Sequence, residues 1–249
     1  MTLLGFPAEG AAALAALCLG AGIVRGFTGF GLSALVMAVA ASFLAPVEFI
    51  PSLWFVEVSA SLLLARGGFR DGDLKLALPL VIGGALGWPI GLALTVSIPV
   101  EVSRIVALAV IASLATAQLL GLRLSALASR SGLYATGLAA GIVSGLANVG
   151  GLVVAVWVLS SGRSPAEMRG SLMLYLLLGA VVSFAIIALY GLMTAEAALR
   201  GLALSLPAGL GVLLGARFFT PRLALYYRPL CLTLIVGLAG VGLARMALA

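Results

Sequence analysis

Polar and charged positions along this chain fall in short clusters, and the apolar positions between them run on for the length of a membrane span. Leu76 to Ile98, Ile105 to Leu122, Gly170 to Glu196 and Pro229 to Ala244 carry no charge apart from the terminal Glu196. Runs of about 18 such residues predict membrane-crossing helices. Two stretches resist that reading. The segments between Glu9 and Glu48, and between Arg130 and Arg163, are long for one span of about 20 residues and short for two. Each is broken near its middle by glycines: Arg25-Gly26-Phe27-Thr28-Gly29-Phe30-Gly31 in the first, Ser144-Gly145-Leu146-Ala147-Asn148-Val149-Gly150-Gly151 in the second. Glycine interrupts a helix, so each segment predicts a helix, a break and a second helix returning to the same side. The alternative is a single kinked helix with close glycine packing.

The chain repeats itself. Ala21-Gly22-Ile23-Val24-Arg25-Gly26 reappears as Ala140-Gly141-Ile142-Val143-Ser144-Gly145. In the same register Gly31 matches Gly150, Pro46 matches Pro165, Glu48 matches Glu167, and Ser52-Leu53 match Ser171-Leu172. After a small insertion, Leu78-Pro79 match Leu206-Pro207, Gly83 matches Gly211 and Gly87 matches Gly215. A run of matches in one order, proline and glutamate included, signals duplication. The expected architecture is an all-α polytopic membrane protein. Two repeats, 1–123 and 131–249, are joined by a cytoplasmic linker, 124–130, and each is a helix–break–helix segment followed by three transmembrane helices.

Charge gives the orientation. If both opening segments are hairpins, the loops Arg66 to Lys75, Arg123 to Arg130, Arg163 to Arg169 and Arg217 to Arg228 share one side and hold most of the 14 Lys and Arg. Only Arg104, Arg200 and Arg245 face the other side, with Arg25 inside the first break. Each half then adds three crossings, so the second repeat is inverted relative to the first, and the positive-inside rule favours this arrangement. It places both termini outside the bacterial inner membrane.

Composition narrows the chemistry. The chain is 63% hydrophobic and 9% charged, with mean hydropathy +1.27, against roughly 25% charged residues in a soluble domain. The net charge of +6 sits in loops between apolar runs and implies no nucleic-acid partner. The residues before the first apolar run lack the basic start of a signal peptide. Cys18 and Cys231 lie within apolar runs and read as packing residues. The absence of histidine excludes histidine-based zinc, haem or triad chemistry. No cofactor or metal is expected, and with no paired intramembrane carboxylates an enzyme is not expected either.

Inverted repeats with interrupted helices place a substrate site at the midplane and support alternating access. A helix that restarts inside the bilayer offers free N–H groups to an anion. Two restarts are expected, Leu32 to Leu44 and Leu152 to Ser160. Around them the expected binding residues are Arg25, Gly26, Thr28, Gly29, Gly31, Ser33, Ser144, Asn148, Gly150 and Gly151. The glycines permit close backbone approach and the polar side chains add donors. Arg25 is a basic residue deep in a span and suits an oxyanion; the alternative is an interfacial or purely structural arginine. Glu57, near the middle of the span Pro46 to Ala65, either relays a proton or forms a standing ion pair with Arg25. Its match in the second repeat is Leu176. Tyr175 and Gln118 read as helix–helix hydrogen-bond partners.

The two-copy order of motifs resembles the TauE/SafE sulfite exporter family, also called the toluene sulfonate uptake permease family. It is carried by Gly26-Phe-Thr-Gly-Phe-Gly31 and Gly145-Leu-Ala-Asn-Val-Gly-Gly151. Each is followed by an apolar stretch, Pro-x-Glu, Ser-Leu and a later Leu-Pro-x3-Gly-x3-Gly. The resemblance implies seven or eight membrane segments and a secondary transporter, often an exporter, of sulfite, organosulfonates or related small anions. Coupling to protons, on the reading of the residues and not of the resemblance, would run through Glu57. An anion channel and a non-transporting membrane subunit or assembly factor are the competing classes; a channel would need a continuous polar lining, which the spans do not show.

Overall fold

The computed structural model describes residues 2–3, 6–122, 129–160, 163–218 and 221–248. The expected linker lies mostly outside the described residues. Among them, Thr2–Leu3 pairs antiparallel with Phe6–Pro7, and the rest is ten helices. These are α1 (Ala8–Thr28), α2 (Leu32–Ala40), α3 (Pro46–Asp71), α4 (Leu74–Ser97), α5 (Val100–Leu119), α6 (Arg130–Ala147), α7 (Gly150–Ser160), α8 (Pro165–Leu189), α9 (Ala195–Arg217) and α10 (Pro221–Leu248). Seven of them, all but α2, α6 and α7, are long and apolar enough to cross a membrane. Outward-facing side chains agree: Leu78, Ile82, Leu86, Ile90 and Leu94 form an exposed apolar stripe on α4, tolerable only against lipid. The chain is an all-α polytopic membrane protein.

Glycine packing sets the helix directions. A Cβ on Gly22 would lie 2.2 Å from the Ala208 oxygen, and one on Gly26 would lie 2.1 Å from the Val212 oxygen. On the facing helix, Gly211 and Gly215 meet the Leu19 and Ile23 oxygens, each at 2.1 Å. Thus α1 and α9 run parallel with backbones touching, the small-residue packing that substitutes for a hydrophobic drive in lipid. The pair α4 and α6 does the same: Gly83, Gly87 and Gly91 meet the Tyr134, Leu138 and Ile142 oxygens, and Gly137 and Gly141 meet those of Leu80 and Gly84.

Other contacts connect these pairs. On α9, Gly201 packs on Ser52 and Gly209 on Leu63, so α3 runs with α9. Gly68 packs on Met173 and Gly72 on Gly170, so α8 runs against α3. Gly84 faces Tyr175 and Pro89 accepts from the Tyr190 hydroxyl, so α8 runs with α4. Helices α1, α3 and α9 therefore point one way, and α4, α6 and α8 the other. Because α1 and α3 are parallel, α2 must bring the chain back between them; α7 does the same between α6 and α8. Each opening segment is a hairpin with unequal arms. The first arm, α1, is about 31 Å long at 1.5 Å per residue, long enough to span, whereas α2 is short and buried at every residue but Val39.

Three expectations change in detail. The basic stretch Arg66 to Lys75 is mostly helical: α3 continues to Asp71, with Arg66 and Arg70 exposed. Gly67 and Gly68 lie inside α3 without breaking it, Gly68 packing on Met173, and the helix ends only at Gly72. The expected restarts are α2 from Leu32 and α7 from Gly150, and α2 stops at Ala40 instead of Leu44. The glycine register also shifts. Gly87 meets Leu138 and Ile142 as Gly211 meets Leu19 and Ile23. In contacts, then, Gly211 corresponds to Gly87, one turn along from its sequence match Gly83. Packing counts glycines per turn, and a run spaced by four looks alike after a one-turn slip.

Candidate functional site at the meeting of the two breaks

The first break is built from its own backbone. Gly29 and Gly31 have φ of 87° and 92°, conformations that side chains resist. The Thr28 hydroxyl lies 2.8 Å from both the Val24 and Phe30 oxygens and accepts from the Phe30 N–H at 3.3 Å. Two arginines take up carbonyls at the end of α1. Arg25 donates through Nη1 to the Gly29 oxygen, and Arg169, from α8, donates to the Gly26 oxygen at 2.5 Å. A positive charge at a helix C-terminus opposes its dipole favourably.

At the start of α2 the free donors find a carboxylate. Glu57 Oε1 accepts from the Ser33 N–H at 3.2 Å and from the Ser33 hydroxyl at 2.7 Å. Its Oε2 lies 3.5 Å from Arg25 Nη2, which also donates to Ser61 at 2.9 Å. Arg25 is fully buried and the Glu57 side chain is 17% exposed. Burying either ion alone is expensive, and pairing with additional hydrogen bonds is what makes it tolerable. Arg25, Glu57, Ser33 and Ser61 thus close one circuit across α1, α2 and α3.

The second break is turned by Asn148, with φ of 57°, whose N–H caps α6 on the Ser144 oxygen at 2.7 Å. Gly150 is confined: a Cβ there would lie 2.1 Å from Ser144 Oγ and 2.3 Å from the Ala140 oxygen. The Tyr175 hydroxyl bonds to Ser144. The Asn148 amide reaches across to Ser33 Oγ at 3.3 Å, so the two breaks are joined directly.

Two adjoining cavities open where they meet, both lined by Glu57, Asn148, Gly151 and Leu176. One extends over Phe30, Gly31, Ser33 and Val149. The other extends over Trp54, Trp88, Ser144, Gly150, Tyr175 and Ser183. Of the residues expected from the sequence, Gly31, Ser33, Ser144, Asn148, Gly150 and Gly151 line these cavities together with Glu57. Arg25, Gly26, Thr28 and Gly29 do not. Arg25 stands behind Glu57, Gly26 packs on α9, Thr28 pins the break, and Gly29 backs onto the Arg169 side chain.

The model of the sulfite exporter TauE/SafE family matches residues 14–243. The chain belongs to that family. No curated protein and no solved structure matches it. TauE/SafE proteins are anion exporters, and an anion site needs donors that nothing else has claimed. In this TauE/SafE chain the start of α2 is occupied by Glu57. At the start of α7 the equivalent side chain is Leu176, whose methyls would lie 3.6 Å from a Cβ on Gly151. Gln118 donates to the Leu152 oxygen at 3.0 Å, the helix–helix role expected of it.

Sequence reasoning missed the aromatic wall and Arg169. Trp54 sits one turn before Glu57, and that proximity was the available signal. Its indole donates to the Ala180 oxygen at 2.9 Å and its ring meets Phe184 at 5.0 Å. Arg169 carried no signal, because it reads as one more arginine of a basic loop.

Proposed function

We propose that this chain is a secondary transporter that carries a small oxyanion, sulfite or an organosulfonate, by alternating access, in the exporting direction of its family. The observation that carries the reading is the inequality of the two helix starts inside one cavity. One holds a built-in carboxylate; the other, at Gly150 and Gly151, faces the cavity beside Asn148 with a leucine in place of the acid. The anionic head would bind at the start of α7, where backbone N–H groups and the helix dipole favour negative charge. Trp54, Trp88 and Tyr175 would hold an organic remainder.

Glu57 supplies the coupling. A bound anion and the Glu57 carboxylate would share one small space, so the acid and the anion are coupled, and by linkage each affects the other equally. Arg25, which does not line the cavity, acts through Glu57 as its ion-pair partner.

The helix directions support reading the halves, 1–123 and 131–249, as oppositely threaded copies. Arg163 reaches Asp73 at 3.4 Å, which supports placing the α3–α4 and α7–α8 connections at one membrane face. By their basic residues that face is cytoplasmic and both termini are outside.

Proteoliposomes test the proposal. Saturable sulfite or sulfonate flux with counterflow is expected; flux that never saturates, or none, overturns it. Glu57→Gln is expected to keep exchange while losing its dependence on a pH gradient. Accumulation that still follows the gradient would make Glu57 a structural residue only.

A further inference from the structure

Away from the breaks, α4 and α6 begin side by side at the same end of the bundle, and an open groove lies between their first turns on the outer surface. Its rim carries Lys75 and Arg130, both exposed. Its floor and walls are Pro79, Leu78, Ile82 and Tyr134, of which the last three are exposed by 48%, 51% and 38%. Below the rim the groove continues into the lipid-facing stripe of α4. The first-turn amides are already capped: Asp73 accepts from the Lys75 N–H at 2.8 Å and Ser129 from Gly132 at 3.1 Å. The Asp73 carboxylate is itself held by Arg163. Two cations therefore remain at the rim, reinforced by the positive ends of two parallel helix dipoles.

We propose that this groove binds an anionic phospholipid. The phosphate would lie between Lys75 and Arg130, and an acyl chain would run down over Leu78 and Ile82. Cations alone would suit free phosphate, and apolar walls alone would suit any lipid. Their vertical order, charge at the headgroup level and apolar surface beneath, matches a single molecule that has both parts. Basic pockets between transmembrane helices recognise anionic headgroups by this arrangement. The inference is independent of what the central cavity transports.

The full chain is purified in detergent and offered phosphatidylglycerol or phosphatidylcholine, with retained lipid counted by native mass spectrometry. The wild-type chain is expected to prefer phosphatidylglycerol by about tenfold. Lys75→Gln with Arg130→Gln is expected to abolish that preference, whereas Arg66→Gln with Arg217→Gln, exposed basic residues outside the groove, is expected to keep it. Tyr134→Ala supplies a second groove variant if the double substitution does not fold, with weaker phosphatidylglycerol retention expected. Equal retention of the two lipids by the wild-type chain would overturn the proposal, as would an unchanged preference in the double variant or unchanged phosphatidylglycerol retention by Tyr134→Ala. It also fails if inorganic phosphate alone displaces the bound lipid at equal concentration. Cross-linking of two protomers through Ile82→Cys would show that a second copy covers the groove instead.

Discussion

At the first break a carboxylate fills the start of the returning helix; at the second a leucine stands in the same place. The surroundings follow from that difference. Around the first break lie two arginines, two serines and a threonine, all engaged, and the cavity-facing donors of Ser33 both go to Glu57. Around the second, Asn148, Ser144 and Tyr175 shape the turn without bringing any charge. On the proposed reading, the first break serves as an electrostatic anchor and the second is left to receive the anion. Two equal acids would repel any anion, and two leucines would leave Arg25 buried without a counter-ion.

The comparison can be broken at either side. Arg25→Ala removes the cation behind Glu57 and should cost about 3–5 kcal/mol, the usual penalty for leaving one partner of a buried pair. It is measured as lost thermal stability in detergent. Adding Glu57→Gln should restore much of it, and a double variant no more stable than Arg25→Ala would disprove the pairing. From sequence alone the same substitution is expected to abolish binding while sparing the fold. Finding Arg25 behind the acid and off the cavity reverses that emphasis.

Leu176→Glu makes the second break resemble the first. A carboxylate near the start of α7 should weaken sulfonate binding by about 3 kcal/mol at an effective dielectric of about 20, read by calorimetric titration. Unaltered affinity would move the anion elsewhere. Gly150→Ala should destabilise by about 1–3 kcal/mol, because its methyl collides with Ser144 and Ala140 and pushes α7 away. Normal melting would mean that the turn is slacker than its geometry. The smallest effect belongs to Asn148→Gly, which keeps the left-handed turn. Losing the single link to Ser33 should cost about 1 kcal/mol, and unchanged melting would show that the link contributes nothing to joining the breaks.

Much of the fold was legible because membrane burial leaves few options. Apolar runs of span length, glycines that interrupt them and a repeated order of Pro, Glu and Gly are local signals, and each led to a helix, a break or a match. What glycine is for was less legible. Gly26 and Gly150 look alike in the sequence, yet the first admits α9 and the second keeps a turn clear of Ser144. That distinction depends on which distant helix arrives, as does the one-turn slip of Gly211. Arg169 was hidden for the same reason, since its partner Gly26 belongs to the other half of the chain. Glu57 was visible because a lone acid in the middle of a span always asks for an explanation.

The parallel glycine seams also decide what can move. Helix α1 is locked to α9, and α6 to α4, so each half has lent its opening helix to the other. The chain cannot hinge at its midpoint like a clamshell without tearing backbone from backbone. In the alternating access proposed above, the part that swings must be an interleaved block assembled from both halves, and the covalent join between them is a tether more than an axle.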